Sequence, residues 1–406
     1  MNALSPLKVL DLTRVLAGPW CGQLLADLGA EVIKIERPVA GDDTRAWGPP
    51  YALNAQGVPT TEAAYYQSAN RGKRSLSLDI ASAQGQAIVR QLVASTDILL
   101  ENYKVGQLAK YGLDYASLAA INPRLIYCSI TGYGQTGPDA HKPGYDFVMQ
   151  GLSGLMSITG EAAAVAGSTP QKSGVAITDL FTGVYGAVAV LAAVNQRHAT
   201  GLGQHIDMAL LDTAMALTAN MGTCYLASGN IPTRHGNAHG NIVPYQTFAC
   251  ADGHIIIGCG NDRQFVKLCA VIGMPALCTD ARFASNPQRV IHRDTLVPML
   301  AAIFASRPRD AWIAELEAVD VPCGPVNNLA EAFANPQVQA RGTQLTLPHP
   351  TAGSVQLIAN PIRMSASATQ STTPPPLLGE HTDEVLRDLL DYPDTKISEL
   401  RNDKVV

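Results

Sequence analysis

The carboxylate best placed for covalent chemistry is Asp179, in the run Gly174-Val-Ala-Ile-Thr-Asp-Leu-Phe-Thr-Gly183. It opens an apolar helical stretch. An Asp there most often caps the helix, its oxygens accepting the first free backbone N–H groups. The alternative is a carboxylate nucleophile at a helix N-terminus, where the dipole favours the anion and keeps it ionised at neutral pH. Residue types and spacing leave both readings open.

Other chemical signals are weaker. His235-Gly-Asn-Ala-His239 sets two histidines four apart, as on a metalloprotease helix. The Glu that should follow the first His is missing, and Gly236 and Gly240 disfavour a helix. A loop lining a pocket is the expectation, and no metal site. Thr13–Pro19, after the first strand signal, has no GxGxxG, so the dinucleotide fingerprint is absent. Gly132–Gly137 has GxxxxG spacing, but Pro138 and Asp139 stand in place of Lys and Ser/Thr, so it is not a phosphate loop of the Walker type. Lys73 and Arg74 read as a solvated basic turn that could add charge near an anionic ligand.

Composition narrows the class. The chain has 406 residues, 47% of them hydrophobic and 16% charged, with a formal net charge of −5. That excludes disorder and argues against general nucleic-acid binding. An anionic ligand must be held by a local cluster of Lys and Arg. The eight cysteines form no CxxC pair, the start MNALSPLKVLDL has no signal-peptide pattern, and the most apolar run, Gly183–Val194, is shorter than a bilayer span. A soluble cytoplasmic protein with reduced thiols, bound to neither membrane nor nucleic acid, is expected.

The elements that must position these groups alternate strand and helix. Strand signals fall at Lys8–Leu12, Glu31–Glu36, Ser75–Asp79, Asp97–Glu101 and Leu125–Ser129, with helices at Pro19–Leu28 and Gly85–Val93. The pattern predicts an α/β fold: an open parallel, Rossmann-like sheet with helices on both faces. Leu180–Val194 is apolar nearly all round and predicts a helix buried on most sides. It should end near Gly201, followed by a strand at His205–Ala209 and a helix from about Asp212. A hairpin around Asp252-Gly253 starts what reads as a smaller α+β domain. Ser365–Pro376 reads as an extended connector, and Thr382–Leu390 returns to a helical pattern.

Taken together, several segments resemble the class III coenzyme A transferases of the CaiB/BaiF type, which include formyl-CoA transferase. They include VLDLTRVLAGPWCGQLLADLGAEVIKIERP (9–38), NRGKRSLSLDI (70–80), NPRLIYCSITGYGQTGP (122–138), GVAITDLFTG (174–183), RHATGLGQHIDMALLD (197–212) and PPPLLGEHTDEVL (374–386). Within the family, HGNAHGNIVPYQTF (235–248) and GCGNDRQF (258–265) are most similar to succinyl-CoA:glutarate CoA-transferases. The resemblance implies a large domain built from N- and C-terminal segments, a small domain, and an interlocked homodimer. The matching boundaries are 1–215 for the N-terminal part of the large domain, 225–335 for the small domain, and 340–406 for the returning segment.

The resemblance also makes Asp179 the nucleophile of a CoA transfer between carboxylic acids, with dicarboxylates such as succinate and glutarate as expected substrates. No cofactor beyond CoA is implied. Val15, Leu16, Ala17, Arg37, Leu78, Asn102, Tyr103 and Lys110 match family CoA contacts, and Lys142 lies one residue out of register with a family lysine. Tyr145 and Asp146 match a Tyr and Glu that line the acyl pocket. Gly258 and Gly260 match a glycine-rich loop over the active site, where either a lid or a plain strand end fits. His235, Asn237 and His239 are candidates for holding the distal carboxylate of a dicarboxylate. Formyl-CoA transferases have Gln at the position of Leu16, which argues against formyl or oxalate specificity. Related α-methylacyl-CoA racemases carry a His where this chain has Tyr145, and a phenol titrating near about 10 is a poor base. A racemase and a catalytically silent acyl-CoA-binding relative remain the alternative readings.

Overall fold

The early strands carry consecutive apolar residues, and a period of two sends neighbours to opposite sheet faces. In the computed structural model, which describes residues 2–406, Leu10, Leu12, Ile33, Ile35, Leu76 and Leu99 face one way and form one core cluster. Val9, Val32, Ile98, Leu100, Ile126 and Cys128 face the other and form a second. Both faces must therefore be covered, as parallel sheets require.

The strands are β1 (Lys8–Asp11), β2 (Glu31–Glu36), β3 (Tyr51–Leu53), β4 (Pro59–Ala63), β5 (Lys73–Ser77), β6 (Ile98–Glu101), β7 (Ile126–Thr131) and β8 (His205–Ala209). Six of them make one sheet in the order β5-β2-β1-β6-β7-β8, every neighbouring pair parallel. β3 and β4 form a separate hairpin that the sequence pattern did not announce. β5 begins at Lys73, two residues earlier than expected.

Helices Ala17–Asp27 and Ile177–Thr200 cover one face. Ala83–Val93 covers the other, with Val385, Leu386, Ile397 and Leu400 from the C-terminal segment. The central helix departs from expectation in two ways. It runs from Ile177 to Thr200, long and apolar enough to cross a bilayer by length and composition, although its most apolar run looked too short. Half of its most apolar window is buried in protein. It is also buried on one side only: Thr182, Gly186, Val190 and Ala193 pack inward, while Phe181, Val184, Tyr185 and Val188 are exposed.

The chain divides into two units. The first comprises Met1–Leu155, Ser173–Thr223 and Gln337–Val406, and the second Met156–Lys172 and Cys224–Pro336. Residues 156–172 thus leave the large domain in which the sequence reading placed them. Hydrogen bonds to Arg234 hold them there: the Ala163 N–H donates to the Arg234 carbonyl, and the Arg234 guanidinium donates to Glu161 O and Ser168 O. In the second unit, β9 (Tyr245–Cys250) and β10 (Gly253–Gly258) form the hairpin expected around Asp252-Gly253, and β11 (Cys323–Pro325) pairs beside them. Its core gathers Phe248, Ile255, Phe265, Leu296, Phe304 and Trp312. A last hairpin, β12 (Gln344–His349) with β13 (Gly353–Ile358), belongs to the first unit. All eight cysteines are free thiols.

Candidate active site

The strand order reverses between β1 and β6: the chain builds outward from β1 to β2 and β5, then from β6 to β7 and β8. Loops leaving two neighbouring strands on opposite sides open a crevice at their C-terminal ends. A cleft of about 210 Å³ lies there. Its walls are Arg14–Ala17 after β1, Asn102–Lys104 and Gln107 after β6, Thr131 and Gly132 at the end of β7, and Leu210 after β8. Pro143–Tyr145 and Asp179 complete it.

The loop after β1 rests on buried ions. Asp11 Oδ1 accepts the Thr13 N–H at 2.9 Å. Lys73 Nζ donates to Asp11 Oδ2 at 2.9 Å, to Pro19 O at 2.8 Å and to Asn70 Oδ1 at 2.9 Å. Lys34 Nζ donates to Thr13 O at 2.7 Å and pairs with Asp42. Lys73 is fully buried, so it is not part of a solvated basic turn. Burial pushes its ammonium down to about 8 even with Asp11 beside it. Arg74 is partly exposed and pairs with Glu31 and Glu384. Held this way, the loop bends sharply. Val15 takes φ 74, the left-handed region that a β-branched residue enters only under constraint. A Cβ on Gly18 would sit 2.3 Å from Thr13 Cβ, so only glycine fits the close approach.

Asn102 clamps the same loop from the β6 side. Its Oδ1 accepts the Arg14 N–H at 3.0 Å and its Nδ2 donates to Arg14 O at 2.7 Å. The Arg14 guanidinium lies 5.5 Å over the Tyr103 ring and pairs with Asp43 at 2.9 Å. At the end of β6, Glu101 accepts the Tyr103 N–H at 2.8 Å, and burial raises its carboxyl to about 7.

Asp179 lies in the first turn of the Ile177–Thr200 helix and is 9% exposed. Among the described residues no donor bonds its carboxylate, so it does not cap the helix. The amides it could have used are taken: Asp146 Oδ1 accepts the Thr178 N–H at 2.8 Å and the Asp179 N–H at 3.4 Å. Burial, and then the nearby Asp146 charge, push the Asp179 carboxyl up to about 7. The expectation that the helix terminus would keep it fully ionised at neutral pH is thereby corrected. Desolvation outweighs the dipole once the N–H groups are engaged elsewhere.

Val15, Leu16, Ala17, Asn102, Tyr103 and Tyr145 line the same cleft as Asp179. Asp146 does not line it; both its oxygens accept hydrogen bonds inside the protein. Leu78 is 1% exposed and packs in the core, so its side chain cannot meet a ligand. Arg37 is exposed and pairs with Asp43 at 3.2 Å, a carboxylate it shares with Arg14. Lys110 is exposed on a 3-10 turn, and Lys142 is paired with Asp139 at 2.7 Å. Neither belongs to the cleft lining.

His235, Asn237, His239, Gly258 and Gly260 belong to the second unit. His235 and Asn237 are exposed, on a loop of irregular structure as expected. Burial and then the Arg293 charge lower the His235 pKa. His239 Nδ1 accepts the Asn241 N–H at 3.0 Å, and its ring meets Tyr245 edge-on with centroids 5.5 Å apart. Gly258 closes β10 with its N–H on Pro322 O at 2.9 Å. The N–H of Cys259, a fully buried residue, donates to Pro244 O, and the Gly260 N–H is bound to Gln264 Oε1. Residues 258–260 thus end β10 with all three amides hydrogen-bonded. Among the described residues, no group of three or more His, Cys, Asp or Glu side chains could hold a metal ion.

Arg14, Lys104, Gln107, Thr131, Gly132 and Leu210 line the cleft without having been singled out in the sequence. The signal that finds them is topological: each ends or follows one of the parallel strands β1, β6, β7 and β8, at the C-terminal edge of the sheet.

A sequence model for CoA-transferase family III matches residues 4–382. A succinate–glutarate CoA-transferase from Agrobacterium fabrum is 48% identical over 386 residues, 95% of either chain. The human succinyl-CoA:glutarate CoA-transferase is 43% identical over 409 residues, covering 100% of this chain and 91% of that one. Among solved structures, a CaiB/BaiF family protein from Brucella suis superposes with a TM-score of 0.85 at 48% identity, covering 96% of this chain and 100% of its own.

Proposed function

The chain belongs to CoA-transferase family III, and we propose that it moves CoA from succinyl-CoA to a free dicarboxylate such as glutarate through covalent intermediates on Asp179. That it is a class III CoA-transferase follows from membership and from named relatives at 43–48% identity. The donor, the acceptor and the aspartyl route are our reading. The observation that carries the route is a nearly buried carboxyl with no hydrogen-bond donor, facing the cleft at the sheet's switch point.

An Asp179 oxygen attacks the thioester carbonyl of succinyl-CoA, the C–S bond breaks, and CoA leaves as thiolate from a succinyl–aspartyl anhydride. The thiolate attacks the Asp179 acyl carbon and expels succinate, leaving an aspartyl–CoA thioester. Glutarate attacks that carbonyl and expels the thiolate, giving a glutaryl–aspartyl anhydride. The thiolate then takes the glutaryl carbon, and Asp179 leaves as carboxylate. Each bond made replaces one broken, so no ATP is consumed and no net proton moves. The protein's contribution is orientation and stabilisation of oxyanions. The helix Ala17–Asp27 starts at the cleft wall, and its first amides have no carbonyl partner within the helix, which suits them to that task. With the carboxyl near 7, a large fraction is ionised at neutral pH yet poorly solvated, which favours attack. Arg14 and Lys104 on the cleft wall, with Arg37 paired close to Arg14 through Asp43, are the cations we assign to the CoA phosphates. His235, Asn237 and His239 remain our candidates for the acceptor's second carboxylate.

We also place the enzyme in the cytoplasm and assign it an interlocked homodimer. Phe181, Val184, Tyr185 and Val188, with Phe147 and Leu152, expose apolar surface that a second copy would bury.

The test is exchange. Incubation with succinyl-CoA and a panel of free acids should yield glutaryl-CoA in preference to other products, read by mass spectrometry. No new acyl-CoA across the panel would overturn the assignment. Deuterium entering the α-position of a 2-methylacyl-CoA without any acceptor acid would point to a racemase.

A further inference from the structure

The helix that carries Asp179 starts without a cap of its own, since Ala176 at its boundary offers no side-chain acceptor. Asp146 fills that place from another helix, Asp146–Leu152. Its Oδ1 takes the Thr178 and Asp179 amides, and its Oδ2 accepts Gln150 Nε2 at 2.7 Å. Gln150 Oε1 in turn accepts the Ser173 N–H at 2.9 Å. One turn of helix thus grips the segment leading to the nucleophile at both its ends. Asp146 is itself only 9% exposed.

We propose that Asp146 is the positioning residue of the nucleophile: it binds the first-turn amides that would otherwise stabilise the Asp179 carboxylate, fixes the direction in which that carboxylate points, and opposes its charge. The proposal rests on Asp179 being the attacking group. The geometry implies a difference between reaction states. A free Asp179 carboxylate is repelled by Asp146 and receives no hydrogen bond, whereas an anhydride or thioester at Asp179 carries no charge to repel. Asp146 therefore raises the uncharged covalent states least and the resting carboxylate most, which speeds attack without touching the substrate. Free amides in its place would do the reverse.

The charged and titratable groups around Asp179 are few. Asp146 binds the amides at its helix start, the Tyr65 phenol is raised first by burial and then by the Asp179 and Asp146 charges, and Arg14, Lys104 and Tyr145 lie on the cleft wall. Of these, Asp146 is the one that hydrogen-bonds the amides of the helix start that holds Asp179.

The experiment follows CoA adduct formation on the Asp179 peptide against pH, in the intact enzyme with succinyl-CoA, for the natural protein, Asp146→Asn and Asp146→Ala. Asp146→Asn keeps an oxygen for the Thr178 N–H but loses the charge. Its rate–pH midpoint should fall by about one pH unit from the natural value, with a several-fold lower plateau. Asp146→Ala loses the grip as well, and its rate should drop at least about tenfold at every pH while the KM for succinyl-CoA stays within about twofold. Melting curves for each variant separate this from unfolding, and should Asp146→Ala fail to fold, the Asp146→Asn midpoint decides alone. A natural midpoint in Asp146→Asn, or a natural rate in Asp146→Ala, would sink the positioning role and leave Asp179 as nucleophile. Absence of any adduct in the natural protein would instead sink the nucleophile itself, and with it this inference.

Discussion

For the Asp179 carboxyl, ionisation opposes stability and, on the route we propose, serves chemistry. Its pKa is raised from an ordinary 3.8 to about 7, so the native state holds a proton that the unfolded chain has already released. Between those values the folded state binds more protons, and stability is lost as pH rises through them. Attack needs the carboxylate, so activity should climb over the same upper range, half-maximal near pH 7. The Asp179→Asn variant should be inactive yet more stable at pH 8 than the natural enzyme, by up to about 4 kcal/mol, with the gain vanishing below about pH 4. Denaturant unfolding at the two pH values checks this, and equal stability at pH 8 would contradict it. The sequence marked Asp179 as a cap or a nucleophile. It could not decide between them, because the competing acceptor, Asp146, lies 33 residues away and only the fold brings it to the helix start.

The strand ends, not the helices, build the cleft. Short apolar runs in Lys8–Asp11 and Glu31–Glu36 made the central strands legible, and Gly29 and Gly201 marked helix ends. What pattern could not supply was which strands become neighbours, and so which loops face one another. Lys73 shows the limit: read locally it belongs on the surface, but its partner Asp11 is 62 residues away and waits in the core. Removing one member of such a buried pair leaves an unpaired charge, so Lys73→Met should destabilise the fold by about 3–5 kcal/mol, a drop that chemical denaturation would show. A Lys73→Met change within about 0.5 kcal/mol of the natural protein would mean the pair is not buried as described. Asn102 holds the loop after β1 through the Arg14 peptide. Asn102→Ala frees the Arg14 peptide, and the KM for acyl-CoA should rise about tenfold with kcat changed less. An unchanged KM would show that the loop holds itself.

Across the whole chain, two units draw on discontinuous segments, and the connection from 337 onward returns to the first. Family-like segments spread from 9 to 386 made the family legible in the residues themselves. The assignment of 156–172 to the second unit was not legible there, because it depends on hydrogen bonds to Arg234 far along the chain. The exposed apolar stripe on the central helix was hidden too: composition shows an apolar helix but not how many of its sides a single chain covers. Light scattering in solution should give twice the mass of one chain. A stable monomer with full activity would show that this stripe needs no partner.

The central claim is that Asp179 carries CoA covalently, and peptide mass spectrometry of the enzyme quenched during turnover with succinyl-CoA tests it most directly. A CoA-mass adduct on the peptide containing Asp179, absent from Asp179→Ala and discharged on adding glutarate, is the predicted result. An enzyme that exchanges CoA at full rate with no adduct there, or an Asp179→Ala variant that still exchanges, would contradict it.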